Sequence, residues 1–278
     1  MKISVLAVMM AGMIAAPALG ADLVQPDPAP PAYAPEIRVS DNPSGWYLRG
    51  DVGYSFNHLR GAHYYQGSNA SLVDFTKADV KNSYMAGVGV GYQVNSRLRT
   101  DLTFDYTGKS DFNGSTQGSC GVASACTSRD ISSWQAYTLM ANAYIDLGTY
   151  NHITPYVGAG IGGSYVKWDA LHNTSCDDSN SSNCDATEIH DGRGKWRFAY
   201  QVMAGASIDL TCNWKADIGY RFRQILGGDM FGYRDNGGPG SDKGFTTQTV
   251  QIGARYQFGG CPQPVAYEAP PQVPLVYK

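Results

Sequence analysis

The sequence predicts an all-β fold: an eight-stranded antiparallel transmembrane β-barrel with short periplasmic turns and four long external loops. Eight segments alternate apolar and polar residues with period two, long and short connections alternate between them, and an export signal precedes them. The closing segment shows the pattern most fully. Gln248, Val250, Ile252, Ala254, Tyr256 and Phe258 share one face, and Thr249, Gln251, Gly253, Arg255 and Gln257 share the other. The apolar face ends in two aromatics, as befits a membrane boundary, where amphipathic rings sit at headgroup level. A strand facing lipid has no partner for bare backbone groups, so it must close against the first strand.

The chain has 278 residues, a net charge of -3, 12% aromatic and 16% charged residues, and 33 glycines. Its mean hydropathy is negative, which speaks against a helical membrane protein, because barrel strands hide half their residues from lipid. The small net charge predicts no nucleic-acid partner. Residues 1–20 read as a signal peptide, with an apolar run from Ile3 to Ala16 too short to span a bilayer and small residues at Ala18-Leu19-Gly20. Residues 21–44 form a proline-rich periplasmic leader, residues 45–258 the barrel, and residues 259–278 a second proline-rich periplasmic tail.

Taken in order, the first strand runs from Trp46 to Phe56, with Trp46, Leu48, Val52, Tyr54 and Phe56 against Tyr47, Arg49, Asp51 and Ser55. The second, Ser83 to Gln93, turns outward Tyr84, Ala86, Val88, Val90 and Tyr92 and inward Gly87, Gly89 and Gly91. After the Asn95-Ser96 turn, the third, Arg97 to Thr107, sets Leu98, Leu102, Phe104 and Tyr106 against Arg97, Arg99, Asp101 and Asp105. The fourth runs from Trp134 to Asp146, with Asn142, Tyr144 and Asp146 inward, and the fifth from Ile153 to Trp168, with Tyr156, Gly158, Gly160 and Ser164 inward. The sixth covers Trp196 to Ile208, and the seventh Trp214 to Ile225, with Lys215, Asp217, Arg221 and Arg223 inward. The long stretches 57–82, 108–132, 169–195 and 226–244 are expected as loops at one end. A soluble sandwich has no reason to sort its connections this way.

Three stretches carry a family resemblance: Gly45-Trp46-Tyr47-Leu48-Arg49-Gly50-Asp51-Val52-Gly53-Tyr54, Thr154-Pro155-Tyr156-Val157-Gly158-Ala159-Gly160-Ile161-Gly162 and Ile218-Gly219-Tyr220-Arg221-Phe222. They resemble the small, opacity-protein-like outer-membrane β-barrels, and more narrowly the immunogenic surface proteins of alphaproteobacteria related to rhizobia and brucellae. The resemblance covers residues 45–258 and implies fold and outer-membrane location; the alternation of long and short connections is what predicts that both termini are periplasmic. In that family the closing aromatic ends the chain and is read by the barrel-assembly machinery. Tyr256 and Phe258 are the corresponding assembly signal here, followed by a tail that the family pattern lacks.

Eight strands leave an interior that side chains just fill. Arg49, Arg97, Arg99, Lys215, Arg221, Arg223 and Arg255 are expected to share it with Asp51, Asp101, Asp105, Asp146 and Asp217 as a salt-bridged plug, since buried ions need partners. The alternative is a narrow porin-like channel for small hydrophilic solutes, given room by the inward glycines. Placement on the barrel pairs the six cysteines: Cys120 with Cys126 and Cys176 with Cys184 within external loops, and Cys212 with Cys261 at the periplasmic base.

No catalytic, cofactor or metal site is expected. His58, His63, His152, His172 and His190 all read as loop or turn residues, leaving no general base on a strand. Gly158-x-Gly160-x-x-Gly163 has the letters of a dinucleotide fingerprint, but the alternation runs through it instead of opening a helix. Asp169, Asp177, Asp178, Asp185, Glu188 and Asp191 read as a solvated acidic loop. The expected partners are outer-membrane lipid, lipopolysaccharide phosphates through residues such as Arg129 and Lys195, the assembly machinery, and a host surface or peptidoglycan. The chain is expected to be a monomer that supports envelope integrity and presents its loops for adhesion or host recognition.

Overall fold

The computed structural model describes residues 45–66, 71–233 and 237–261. The expected signal peptide and leader, and the tail beyond residue 261, lie outside the described residues. Among those residues the secondary structure is all β: β1 (Gly45–Leu59), β2 (Ala62–Gln66), β3 (Ser71–Asp74), β4 (Lys77–Val80), β5 (Ser83–Gln93), β6 (Leu98–Ser115), β7 (Gln117–Gly118), β8 (Cys126–Asp146), β9 (Ile153–Trp168), β10 (Leu171–Asp177), β11 (Glu188–His190), β12 (Gly194–Asp209), β13 (Trp214–Phe231) and β14 (Gly237–Gln257).

Eight of these strands close a circle in the order β1, β5, β6, β8, β9, β12, β13, β14 and back to β1, every neighbour antiparallel. Closure runs from Tyr47 opposite Gln257 to Leu59 opposite Phe245. It leaves neither strand an open edge, as a lipid-facing sheet requires. The eight expected strand positions are all occupied, and Gly158 to Gly163 lie within the continuous strand β9.

Burial is inverted relative to a water-soluble core. Trp46, Leu48, Val52, Tyr54 and Phe56 are exposed on β1, whereas Tyr47, Arg49, Asp51 and Ser55 are buried. A polar interior and an apolar wall are stable only where the outer solvent is hydrocarbon. Two aromatic belts bound that wall. Trp46 meets Tyr92 at 5.3 Å and Trp214 meets Tyr256 at 5.1 Å at the end with the short turns. Tyr54 meets Tyr84 at 5.5 Å and Tyr106 meets Tyr137 at 5.2 Å toward the long hairpins.

The long connections differ from expectation. Strands β6, β8, β13 and β14 continue well past the aromatic belt; β2, β4, β7 and β10 pair onto the extended strands, β3 onto β2 and β11 onto β10. Stretches expected as loops are therefore largely sheet. The physical reason is that a strand outside the bilayer carries polar residues on its outer face as well. Its alternation fades while its backbone pairing continues. A bulge between Thr107 and Ser110 also shifts the parity of β6, so that Asp105 and Thr107 point inward below it and Ser110 and Phe112 above it.

Candidate functional site

The interior holds two layers, each built by residues from opposite walls. The layer nearer the short turns is ionic. Arg49 on β1 grips both oxygens of Asp51 at 2.8 Å and reaches Asp101 on β6 at 3.0 Å and the Tyr144 hydroxyl on β8 at 3.0 Å. Asn142 donates to Asp101 at 2.7 Å, Gln201 on β12 donates to Asn142 at 2.7 Å, and Arg223 on β13 donates to Gln201 at 2.9 Å. Asp105 then accepts from Arg223 and from Arg221, the latter at 2.7 Å. Strands β6 and β13 stand four places apart in the eight-strand circle, so these bonds cross the full lumen.

Below this chain of bonds, Arg99 pairs with Asp146 at 3.0 Å, its guanidinium 4.3 Å from the Tyr144 ring centroid and 4.4 Å from that of Tyr156. Arg255 lies 3.7 Å from Asp217, and both bond the Ser207 hydroxyl group. The inward glycines make room for these side chains. A Cβ on Gly91 would stand 2.2 Å from Cζ of Tyr47, and one on Gly158 2.5 Å from Cδ1 of Tyr144.

Two residues expected in this network lie elsewhere. Arg97 is exposed in the short turn before β6, where its backbone N–H donates to the Asn95 side chain at 2.8 Å. The Asn95 side chain also accepts from the Leu98 amide, so the turn ends one residue later than the alternation suggested. Lys215 sits at the rim, partly exposed, and pairs with Asp209. Conversely, Arg197 is buried and its Nη1 contacts both carboxylate oxygens of Asp242 at 2.7 Å. Its parity with Gln201 points inward, whereas Asp242, in a stretch expected as loop, lies on β14.

The second layer is aromatic and lies toward the long hairpins. Trp134 stacks on Phe245 with centroids 4.3 Å apart, joining β8 to the opposite strand β14. Trp168 lies 5.8 Å from Phe245, 5.6 Å from Phe231 and 5.4 Å from Phe112. All five side chains are buried, within a cluster that includes Leu59, Val166, Leu171, Ile225 and Met230.

Beyond the aromatic layer the hairpins are tied to one another. Disulfides join Cys120 to Cys126 and Cys176 to Cys184, while Cys212 to Cys261 closes the short-turn end. Thr127 donates to Asp178 at 2.7 Å and the Gly121 amide to Asp185 at 3.1 Å, linking two hairpins. Asp169 meets Lys109 at 2.6 Å and Asp177 accepts from Ser179, so the acidic stretch is spread among separate partners. Asp130, buried, accepts from Ser128 at 2.6 Å and from Asn173; burial raises its pKa above the ordinary carboxylate value despite these bonds.

The histidine reading also needs correction. His58, His63, His172 and His190 lie on strands β1, β2, β10 and β11, within the extended sheet. His63 Nε2 is 2.8 Å from the Ser241 hydroxyl, and the buried His190 ring lies 3.4 Å from the Gly232 carbonyl. A serine and a histidine in contact do not make a nucleophile; that chemistry also needs an orienting group on the second ring nitrogen and donors for an oxyanion.

The model of the outer membrane protein β-barrel domain matches residues 4–258. The chain belongs to that family. Family membership places it in the outer membrane. Within reach of it, an uncharacterized protein of Brucella abortus is 35% identical over 91% of this chain and 98% of its own length. A Rickettsia conorii protein described as a candidate adhesin is 24% identical over 77% of this chain and 76% of its own length. Among solved structures, the outer membrane protein OprG from Pseudomonas aeruginosa shares 12% identity, covers 78% of this chain and 99% of its own, and superimposes with a TM-score of 0.49.

Proposed function

We propose that this outer-membrane barrel is a closed scaffold that supports envelope integrity and holds its extended hairpins at the cell surface for adhesion or host recognition. One observation carries the reading: the lumen is crossed by ion pairs between β6 and β13 and again by stacked rings between β8 and β14, while the strands run on beyond the aromatic belt. A closed bore with a tall, cross-tied rim suits display. The candidate-adhesin description of the Rickettsia relative agrees with it. In this reading the short turns and both termini are periplasmic, the protein works as a monomer, and Tyr256 and Phe258 are the signal read by the assembly machinery. The proline-rich tail would then be free to meet peptidoglycan. We assign no catalysis to the His63–Ser241 pair.

The test replaces residues 116–127 and 172–190 with short Gly-Ser turns, leaving the membrane-spanning parts of the eight strands intact, and measures attachment of expressing bacteria to host cells and to extracellular matrix. Attachment should fall to the level of bacteria lacking the protein. Unchanged attachment, with the shortened protein present at the surface, would overturn the display reading.

A further inference from the structure

The three disulfides are not alike. Cys120–Cys126 and Cys176–Cys184 join residues 6 and 8 apart within the long hairpins, whereas Cys212 and Cys261 are 49 apart and meet at the short-turn end, beside the seam of β14 with β1. That seam is also where this chain departs from a closing strand that ends on its aromatic. Residues 259–278 follow Phe258, with Pro262, Pro264, Pro270, Pro271 and Pro274 among them.

Strand β14 is held on both flanks to its end. Tyr256 lies opposite Leu48 on β1 and Trp214 on β13. The Gln257 amide donates to the Asn213 carbonyl at 2.7 Å, and the Phe258 amide to the Trp46 carbonyl at 3.0 Å. The chain then turns at once. Gly259 has a φ of 69°, a left-handed conformation that glycine adopts without strain, and a Cβ on Gly260 would stand 2.1 Å from the Cys212 carbonyl oxygen. These two glycines bring the Cα of Cys261 within 4.9 Å of that of Cys212, in the turn before β13. The chain is thereby led toward β13, on the flank of β14 away from β1. Pro262 follows, without an amide for a further ladder bond. The Phe258 ring stays exposed, 5.1 Å from that of Tyr256.

The bridge needs no other part of the barrel. Both cysteines flank the last hairpin, β13 with β14, so they can join before β1 arrives. Both are exposed, within reach of an exported oxidant that carries a disulfide. By thiol–disulfide exchange the two thiols become one S–S bond, and the oxidant's disulfide becomes a dithiol that takes up the two electrons and two protons. Until β1 closes the circle, the β1-facing edge of β14 has bare backbone groups. A tail running straight on from Phe258 would crowd that edge. We propose that the Cys212–Cys261 bridge makes an internal strand end serve as a chain terminus. Formed in the last hairpin, it draws the chain beyond Cys261 to the β13 flank and keeps the β1-facing edge clear, first for recognition and then for β1. This rests on the reading of Tyr256 and Phe258 as the assembly signal, and adds an oxidation step that must precede its recognition.

The experiment measures the folded, heat-modifiable fraction of the full-length protein in outer membranes of expressing bacteria. Refolding in phosphatidylcholine vesicles, where no machinery is present, runs beside it. The C212S/C261S variant should fall several-fold in outer membranes and refold like wild type in vesicles. A chain stopped after Phe258 and carrying C212S has neither bridge nor tail and keeps all eight strands. It should refold in vesicles and assemble like wild type, because its aromatic is a true terminus. In bacteria without the exported thiol oxidant, wild type should fall as C212S/C261S does and the shortened chain should not, although both retain the four cysteines of the long hairpins. Equal assembly of C212S/C261S and wild type would overturn the proposal. So would a shortfall that persists in the shortened chain or recurs in vesicles, since the bridge would then be a plain staple. Failure of the signal reading shows separately: F258S in the shortened chain should abolish assembly, and undiminished assembly would refute that reading alone.

Discussion

The two interior layers occupy the same bore by opposite means. In the ionic layer each member depends on a particular partner: Asp105 holds both Arg221 and Arg223, and Arg49 holds Asp51 and Asp101. In the aromatic layer, Trp134, Trp168, Phe231 and Phe245 belong to one buried cluster, with Trp168 in contact with Phe112, Phe231 and Phe245. A charge network fails at a single position because the orphaned charge remains buried, whereas packed rings lose area and then relax around the gap. The ionic layer should therefore be brittle, and the aromatic layer tolerant of change.

The largest effect is expected at Asp105. Asp105→Ala leaves two buried guanidinium groups without their carboxylate and should cost about 3–5 kcal/mol, read as a lowered urea midpoint for unfolding from lipid vesicles. Asp105→Leu combined with Arg221→Met and Arg223→Met should recover most of that loss, since uncharged side chains of similar volume need no partner. Failure of the triple variant to recover would break the comparison. Next, Phe245→Ala removes the ring shared by Trp134 and Trp168 and should cost about 3 kcal/mol, the lower end for an aromatic deletion. Its signature is a change in tryptophan fluorescence with the barrel still formed.

A smaller effect belongs to the rim. Opening Cys176–Cys184, whose members are 8 residues apart, should cost up to about 2.5 kcal/mol by the chain-entropy relation. Faster proteolysis between residues 171 and 190, with the barrel intact, would show it. The smallest is a pH effect at Asp130. Burial raises its folded pKa above the unfolded value of about 4, so as pH rises from there the unfolded chain loses its proton first and stability declines until the folded pKa is passed. Amide exchange where Asn173 pairs with Asp130, corrected for intrinsic rates, should show protection declining across that window, and Asp130→Asn should flatten it.

The membrane-spanning wall was legible because hydrocarbon enforces period two: every outward residue from Trp46 to Phe56 must be apolar or small, and no tertiary contact can override that. Most of the ionic layer followed from the same parity. Arg97 escaped because alternation cannot say where a strand gives way to its turn, and Asn95 draws Arg97 into that turn through its side chain. The aromatic layer was present in the parity too, since Trp134, Trp168 and Phe245 fall on the inward face of their strands, but it lies at the level where outward residues become polar and the strand signal fades. Phe112 was hidden more thoroughly, because the bulge after Thr107 reverses the parity that would have located it. The hairpin sheet beyond was illegible for the same reason as the pair of Arg197 with Asp242: its order comes from strand pairing between distant segments.

The central claim is that both layers are closed at once. Single-channel recording of the oxidised, folded protein in a planar bilayer tests it most directly. Wild type should be silent. Phe245→Ala with Trp168→Ala should remain silent because the ionic layer still spans the bore. Reproducible open steps from wild type would contradict the closed scaffold and give the lead to a narrow diffusion channel for small hydrophilic solutes.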